Sequence, residues 1–215
     1  MLVRHAVTAE TGSKLSGRAP GIDLSEVGQG QAERAGERLA PMPVAAVYAS
    51  PIERTTQTAD LIAKHHGLPV QPLAGVIEAD YGDWTGEKLS DLVKLDLWKT
   101  VQAAPSRVRF PGGEAMVAMQ ARIVEAIEAL VADHPGDTVV VVSHADPIKA
   151  AVAHFTGVPL DLFQRIAVAP ASVTVLDIGS FGATLLKSND TGGMEDLVPT
   201  PPAAAPDAGS EAEDG

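Results

Sequence analysis

The sequence of 215 residues contains no cysteine, and no apolar stretch approaches the roughly 20 residues that a membrane-spanning helix requires. Disulfide bonds are therefore excluded, and we expect no transmembrane segment. The N-terminus also lacks the basic segment followed by an apolar run that is typical of a signal peptide. These absences favour a cytoplasmic protein that does not associate with a membrane.

Positive charge is also scarce. The chain has 16 Lys and Arg against 28 Asp and Glu, which gives a net charge of -12 and disfavours a nucleic-acid partner. Seven acidic residues and no Lys or Arg follow position 188, so residues 1–188 carry a charge of only about -5. An anionic substrate of this body would need a local positive pocket.

Residues 189–215 differ in composition from the rest of the chain. They contain four prolines, an alanine run, glycines and acids, with few apolar residues. Such a segment cannot bury enough surface to offset the entropy cost of ordering, so we predict a disordered acidic Pro/Ala-rich tail. An ordered docking segment at 194–198 is the alternative. Residues 1–188 are predicted to form a single domain.

The body alternates segments of strand-like and helix-like periodicity. The predicted strands are a short first one, then 44–48, 138–142, and a terminal pair at 171–178 and 183–187; the predicted helices begin behind Ser25 and at Ile52, cover 116–131, and include Ile148 to Phe155. This alternation favours an α/β fold, namely a three-layer α/β/α sandwich with a mostly parallel central sheet. Ligands in such folds collect at the carboxyl ends of the strands.

Residues 79–114 fit this alternation less well. Leu89, Leu92, Val93 and Leu97 indicate a helix, and residues 107–113 have the composition of a loop, with a proline and paired glycines. We interpret residues 79–114 as a lid-like insertion that shapes a substrate pocket.

Two predicted strands end on a histidine. Arg4-His5 follows the first apolar run, and His144 comes after the run 139–142. Arg54 stands where a helix begins after a third strand, and the helix N-terminus adds backbone donors for an anion. Each of these residues alone is more often structural or a surface group, but the combination across three strand ends favours a phosphate-handling site.

The chemistry of these side chains suits phosphoryl transfer. Planar guanidinium groups match the oxygens of a phosphoryl group, and a neutral imidazole nitrogen can attack phosphorus to give a phosphohistidine. His5 is the best candidate for this nucleophile. The mechanism needs neither a metal nor another cofactor.

Six short motifs follow one another along nearly all of residues 1–188. They are Arg4-His5-Ala6, Leu24-Ser25-Glu26-Val27-Gly28, Ser50-Pro51 with Arg54 and Thr58-Ala59, Glu78 with Gly82, Trp84 and Gly86, Pro111-Gly112-Gly113-Glu114, and Val142-Ser143-His144. In this order they resemble the motifs of the histidine phosphatase superfamily, in its phosphoglycerate mutase-like branch. One such motif would be a weak signal, and six in order are a strong one.

The resemblance implies a role for each site residue. His5 would be the phosphorylated nucleophile, Arg4, Arg54 and His144 would hold the phosphoryl oxygens, and Glu78 would donate a proton to the leaving group. To act near neutral pH, Glu78 should have a raised pKa. The candidate substrate-binding residues further include Thr11 and Arg18.

The chain also departs from the family pattern. Ala6 replaces the glycine of the Arg-His-Gly motif, so a positive φ is not expected there. Thr11 stands where many members have an asparagine, and Asp146-Pro147 replaces the glycines that usually follow the second histidine. Only four residues precede His5, which favours either a short first strand or a start further upstream.

The leading hypothesis is a phosphatase that hydrolyses a small phosphorylated metabolite without a metal. A phosphomutase using the same phosphohistidine is the closest alternative, but the body is short for the glycolytic enzyme. A non-catalytic phospholigand binder and a metallohydrolase built on His5, Glu78, His144 and Asp146 are weaker alternatives, since nearby arginines would oppose cation binding. The sequence leaves the oligomeric state open, with a homodimer as the working expectation.

Overall fold

A six-stranded sheet forms the centre of the protein in a computed structural model that describes residues 1–193. The strands are β1 (Leu2–Arg4), β2 (Val44–Ala49), β3 (Val70–Pro72), β4 (Thr138–Ser143), β5 (Val173–Gly179) and β6 (Gly182–Asp190). Their order across the sheet is β3-β2-β4-β1-β5-β6. The first four of these are mutually parallel, and β5 runs antiparallel to both of its neighbours.

The helices are α1 (Glu26–Leu39), α2 (Glu53–Ala63), α3 (Leu89–Leu92), α4 (Asp96–Ala103), α5 (Met116–Asp133) and α6 (Ala145–Phe155). The start of α1 follows the sequence signal, because the Ser25 hydroxyl accepts a hydrogen bond from the backbone N–H of Gly28. Helix α5 ends just before His134-Pro135-Gly136, where Gly136 has a φ of 80°.

The helices cover both faces of the sheet. One face packs small residues of α1 and α2, such as Ala32 and Ala59, against Val47 and Val142 of the sheet. The other face packs α5 and α6 residues such as Ile123 against Val141. The predicted three-layer α/β/α sandwich with a mostly parallel sheet is therefore confirmed, because each apolar face of the sheet is buried by its own pair of helices.

The segment 79–114 differs from the sequence interpretation in one respect. The predicted helix through Leu89, Leu92, Val93 and Leu97 is broken into α3 and α4. Leu92 is buried, but the Val93 side chain is exposed, so the apolar spacing does not mark one continuous buried face. A third apolar cluster packs this segment against α5, α6 and Phe163.

The C-terminal boundary also shifts. Strand β6 continues to Asp190, two residues beyond the boundary predicted at 188, with Val173 and Asp190 paired across β5 and β6. The remainder of the predicted tail from 194 onward, including the alternative docking segment at 194–198, lies outside the described residues. Within residues 1–193, no helix is long and apolar enough to cross a membrane.

Candidate active site

Three parallel strands end side by side and bring their following residues together. Arg4 of β1 is in register with Ser143 of β4, and Ala49 of β2 is in register with Val142. The residues that follow these strands therefore share one edge of the sheet, as expected for the carboxyl ends of parallel strands. His5 and His144 meet there with their ring centroids 5.3 Å apart.

The hydrogen bonds of His5 define its tautomer. Its Nδ1 lies 2.8 Å from the carbonyl oxygen of Ala6, which can only accept, so Nδ1 carries the proton. Its Nε2 accepts from Nε of Arg54 at 3.3 Å and therefore holds the lone pair. Burial, followed by the charges of Arg54 and Arg4, lowers the pKa of His5 to about 3. The imidazole is thus neutral near pH 7, with its lone pair on Nε2.

Arg4 and Arg54 hold donors that lack partners. Nη1 of Arg4 donates to the carbonyl oxygen of Val168 at 2.7 Å, and Nη2 of Arg54 donates to that of Gly17 at 2.6 Å. Among the described side chains, Nε of Arg4 and Nη1 of Arg54 are buried without a hydrogen-bond partner. Buried donors of this kind are costly unless a ligand satisfies them, and an oxyanion would do so.

His144 is fixed between Ser50 and Arg54. Nη2 of Arg54 lies 3.2 Å from Nδ1 of His144, so Nδ1 accepts and Nε2 donates to the Ser50 hydroxyl at 2.8 Å. The His144 side chain is fully buried. Burial, with His5 and Arg54 next in effect, lowers its pKa well below the usual range.

Glu78 is the buried carboxyl group of the site. Its Oε1 accepts from the backbone N–H of Ala79 at 2.9 Å, and its Oε2 lies 3.8 Å from Nδ1 of His144. Burial, reinforced by the charge of Asp146, raises the pKa of Glu78 to about 7. A carboxyl group with this pKa can hold a proton near neutral pH and donate it, which agrees with the expectation from the sequence.

Arg18 lies beside the backbone of Glu78 and is bound to other protein groups. Its Nε donates to the carbonyl oxygen of Glu78 at 2.8 Å, and its Nη2 bonds Glu114 at 3.1 Å. Arg18 does not line the cavity that His5, Arg54 and Glu78 share. The structure therefore places it in a network that supports Glu78, whereas the sequence predicted a direct substrate contact.

Arg122 completes that network, and the sequence analysis missed it. Its Nη2 donates to the same Glu78 carbonyl at 3.0 Å and to Glu114 at 2.8 Å, and its Nη1 donates to the carbonyls of Gly75 and Ile77. The available signal was an arginine between the apolar positions of α5. Ser50 was also missed as the partner of His144, although it directly follows the end of β2.

A cavity of about 330 Å³ opens above these groups. Arg4, His5, Arg54 and Glu78 lie in its wall, and Thr11 lines it with its hydroxyl 3.0 Å from that of Thr8. Aromatic side chains from 79–114 contribute much of the remaining wall: Tyr81, Trp84, Trp98 and Phe110. A larger groove of about 570 Å³ at the amino ends of the parallel strands contains none of the predicted site residues.

The positions that depart from the family pattern lie close to the site. Ala6 is fully buried and does not have a positive φ, in agreement with the expectation, and its N–H donates to the Thr58 hydroxyl at 3.1 Å. Asp146 lines the cavity and accepts a hydrogen bond of 2.9 Å from the Tyr81 hydroxyl. Among residues 1–193, no group of three or more His, Cys, Asp or Glu side chains has a metal-binding arrangement.

The fold and this edge of the sheet define a class of α/β enzyme that transfers phosphoryl groups, since a neutral imidazole and two guanidinium groups with unpartnered donors line one cavity. Residues 1–191 match the profile of the histidine phosphatase superfamily (branch 1), and the chain belongs to this family. The predicted membership is confirmed.

Known proteins of similar sequence and structure agree with this assignment. The chain is 34% identical over 197 residues to phosphoserine phosphatase 1 of Hydrogenobacter thermophilus, covering 89% of this chain and 92% of the relative. It is 27% identical to a probable phosphoglycerate mutase of Erwinia tasmaniensis, covering 82% and 83%. The solved structure of a mycobacterial glucosyl-3-phosphoglycerate phosphatase superposes with a TM-score of 0.79 at 26% identity, covering 88% of this chain and 97% of that one.

The predicted activity class is confirmed by these relationships. The protein is a histidine-type phosphatase, that is, a phosphoric monoester hydrolase. The structure brings His5, Arg4, Arg54, Glu78 and His144 together at one site, with Thr11 in the cavity wall.

Proposed function

We propose that the protein hydrolyses a small phosphomonoester in two steps through a phosphohistidine on His5. The observation that carries this proposal is the state of the His5 ring. Its Nδ1 proton is held by the Ala6 carbonyl, so the lone pair of Nε2 points to where Arg54 donates. A nucleophile is thereby presented to a cluster of cationic donors that match a phosphoryl group.

In the first step, Nε2 of His5 forms a bond to phosphorus while the bond from phosphorus to the ester oxygen breaks. The unpartnered donors of Arg4 and Arg54 would bind the equatorial oxygens, whose negative charge is spread in the transition state. The approach of this charge would also favour uptake of a proton from solvent by Nδ1 of His144, which could donate to an oxygen once Nη2 of Arg54 has turned to the phosphoryl group. Glu78 would give its proton to the departing oxygen, so that the product leaves as a neutral alcohol.

In the second step, water attacks phosphorus and the bond to Nε2 breaks. Glu78 is now a carboxylate and can accept a proton from the attacking water, which restores the starting state. The raised pKa of Glu78, about 7, suits a group that must both donate and accept a proton near neutrality. The buried position of the carboxyl group supports the same role.

A phosphomutase is the second candidate, because one relative is named a probable phosphoglycerate mutase and the first step would be shared. In a mutase, a second hydroxyl of the bound substrate would take the phosphoryl group in place of water. We favour hydrolysis, since the relative that is 34% identical along 89% of this chain is named a phosphatase.

The test is a panel of phosphorylated metabolites that includes O-phosphoserine, 3-phosphoglycerate and glycerol 3-phosphate, followed by phosphorus NMR. Release of inorganic phosphate is expected. Formation of a phosphate-position isomer without phosphate release would overturn hydrolysis in favour of the mutase. Retained turnover after exhaustive chelation would exclude a metallohydrolase, and absence of turnover with retained ligand binding would favour a phospholigand binder.

Three further expectations stay predictions. We propose a cytoplasmic location, which suits a small phosphorylated metabolite as substrate. A homodimer is the expected assembly, and light scattering would measure it. The 79–114 segment is proposed to act as the lid over the cavity to which its aromatic side chains contribute.

A further inference from the structure

Lys149 lies in the wall of the active-site cavity and is not one of the groups proposed to bind the phosphoryl oxygens. It belongs to α6, whose N-cap is His144. An α-helix rises about 1.5 Å per residue, so the backbone of Lys149 is displaced from His144 by about 7.5 Å along the helix axis. This is the length scale of a short leaving group attached to the transferred phosphoryl group.

The ammonium group of Lys149 is partly buried and incompletely paired. Its side chain is only 17% exposed, and its Nζ lies 3.0 Å from Oε1 of Gln164 and 3.9 Å from Oδ1 of Asp146. The other oxygen of Asp146 already accepts from Tyr81. An ammonium has three N–H donors, so donors remain for a ligand in the cavity.

The other cations of the cavity wall differ from Lys149 in position or in pairing. Arg4 and Arg54 line the cavity with His5, and each has a buried nitrogen without a hydrogen-bond partner. Lys14 is 43% exposed and bonds Glu10 at 2.8 Å, so its charge is already compensated. Within the described part of the chain, Lys149 differs from these cations in two respects. It does not belong to the groups proposed to bind the phosphoryl oxygens, and no carboxylate lies within hydrogen-bonding distance of its Nζ.

We propose that Lys149, together with Gln164, binds a second anionic group on the leaving group, so that the preferred substrates are phosphomonoesters of small acids. This inference rests on the proposed function and adds to it the chemistry of the substrate. The anion can be a carboxylate or a second phosphoryl group, since both accept from an ammonium. Neutral alcohol phosphates of the same size would be poorer substrates, because the ammonium would lose hydration without gaining a partner.

Matched substrate pairs test the proposal. O-phosphoserine differs from phosphoethanolamine by a carboxylate, and 3-phosphoglycerate has a carboxylate where glycerol 3-phosphate has a hydroxymethyl group. A third pair, fructose 1,6-bisphosphate and fructose 6-phosphate, tests a second phosphoryl group. The acid of at least one pair should have the higher kcat/KM by about tenfold or more, the usual size of one charge-assisted hydrogen bond. In Lys149→Met this ratio should fall close to one, while Lys149→Arg should keep part of it. Lys99→Met removes an exposed lysine on α4 and should leave the ratio unchanged.

Binding to a His5→Ala variant separates failure of this inference from failure of the proposed function. Calorimetry on that variant compares the Kd values of each pair without turnover, so it reports on Lys149 even if the protein hydrolyses none of these compounds. Tighter binding of the anionic member, lost in the His5→Ala/Lys149→Met double variant, is expected. Equal affinities in every pair, or a preference that survives loss of Lys149, would overturn the subsite. If p-nitrophenyl phosphate were hydrolysed all the same, the phosphatase mechanism would still stand.

Discussion

The Nδ1 nitrogen of His5 lies 2.8 Å from the carbonyl oxygen of Ala6. This contact uses the one proton of the neutral imidazole, so Nε2, which accepts from Nε of Arg54, holds the lone pair proposed to attack phosphorus. Ala6 is also the residue where the chain departs from its family, and the contact involves only backbone atoms of that residue. A side chain at position 6 is therefore compatible with an oriented nucleophile.

Replacement of this nucleophile gives the first prediction. We expect His5→Ala to lower kcat by about 10⁴-fold or more, because the proposed covalent intermediate forms on Nε2 of His5. Rapid quenching of the wild-type protein with a ³²P-labelled substrate should trap acid-labile label, which the variant should lack. His154→Ala removes an exposed histidine and is the matched control. Label retained in His5→Ala would contradict the assignment.

Glu78 gives a prediction about leaving groups and pH. Burial and then Asp146 raise its pKa to about 7, so the carboxyl group is protonated below that pH and loses its proton above it. For alkyl phosphates, the rate of the phosphorylation step should fall as pH rises through about 7, because this step uses the protonated carboxyl group. Glu78→Gln should lower kcat for these substrates by roughly 10²–10³-fold, within the usual range for general acid catalysis.

The same variant should behave differently with p-nitrophenyl phosphate. Nitrophenolate leaves without a proton, so its phosphorylation step should depend little on Glu78. Single-turnover kinetics at several pH values would measure that step for both substrate types. An equal loss for both would argue that Glu78 has a structural role and does not donate the proton.

Folding stability provides an independent measure of the Glu78 environment. A carboxyl group whose pKa is raised from 4.5 to about 7 on folding contributes stability that is fully present below pH 4.5 and is lost as pH rises through 7. The free energy of unfolding of the wild type relative to Glu78→Gln should therefore fall by roughly 2–3 kcal/mol across this window. Urea titrations at pH 4.5 and pH 8 would measure the difference. The lowered pKa of His5 acts in the opposite direction, but it is common to both proteins.

Much of this site could be predicted from the sequence because its residues are fixed by local rules. His5 and His144 each follow an apolar run, Leu2-Val3 and 139–142, with one residue between, and the register of parallel strands then brings the strand ends together. Arg54 follows in the same way from its place at the start of α2. The family motifs added Glu78, whose local sequence carries no sign of catalytic chemistry.

Arg18 shows what the sequence could not specify. An arginine near a predicted pocket has the same sequence appearance whether it binds substrate or another side chain. The hydrogen bond of Arg18 to Glu114 depends on how α5 packs against the 79–114 segment, which is a tertiary contact. Arg122 was missed for the same reason, since an arginine on an amphipathic helix is usually a surface charge.

Arg122 leads to the fourth prediction. Arg122→Ala removes the donor that bonds the carbonyls of Gly75 and Ile77 and Oε2 of Glu114, whereas Arg18 still bonds the Glu78 carbonyl. We expect a loss of about 2–4 kcal/mol in the free energy of unfolding. Because the backbone of Glu78 would also be less restrained, kcat should fall more than KM rises.

Arg109→Ala is the matched control, because Arg109 is exposed and makes only one long contact of 3.5 Å with the Gly113 carbonyl. Chemical denaturation and steady-state kinetics at a temperature where both variants are folded would measure the two effects. Unchanged kcat in a folded Arg122→Ala protein would show that this network stabilises the fold without positioning Glu78.

Two glycines on helix α1 give the last prediction. A Cβ on Gly28 would lie 2.0 Å from the carbonyl oxygen of Val7, in the segment that follows His5, whereas a Cβ on Gly30 would meet only the end of the Arg34 side chain at 3.4 Å. Gly28→Ala must therefore push α1 away from that segment or displace its backbone. Gly30→Ala should instead stabilise the protein by up to about 1 kcal/mol, the usual gain in a helix interior. The denaturation midpoint and kcat of both variants would test this. In Gly28→Ala both the stability and the activity should drop. In Gly30→Ala the stability should rise and the activity should stay the same. Normal activity in Gly28→Ala would mean that contact between α1 and Val7 is not needed to hold the nucleophile in place.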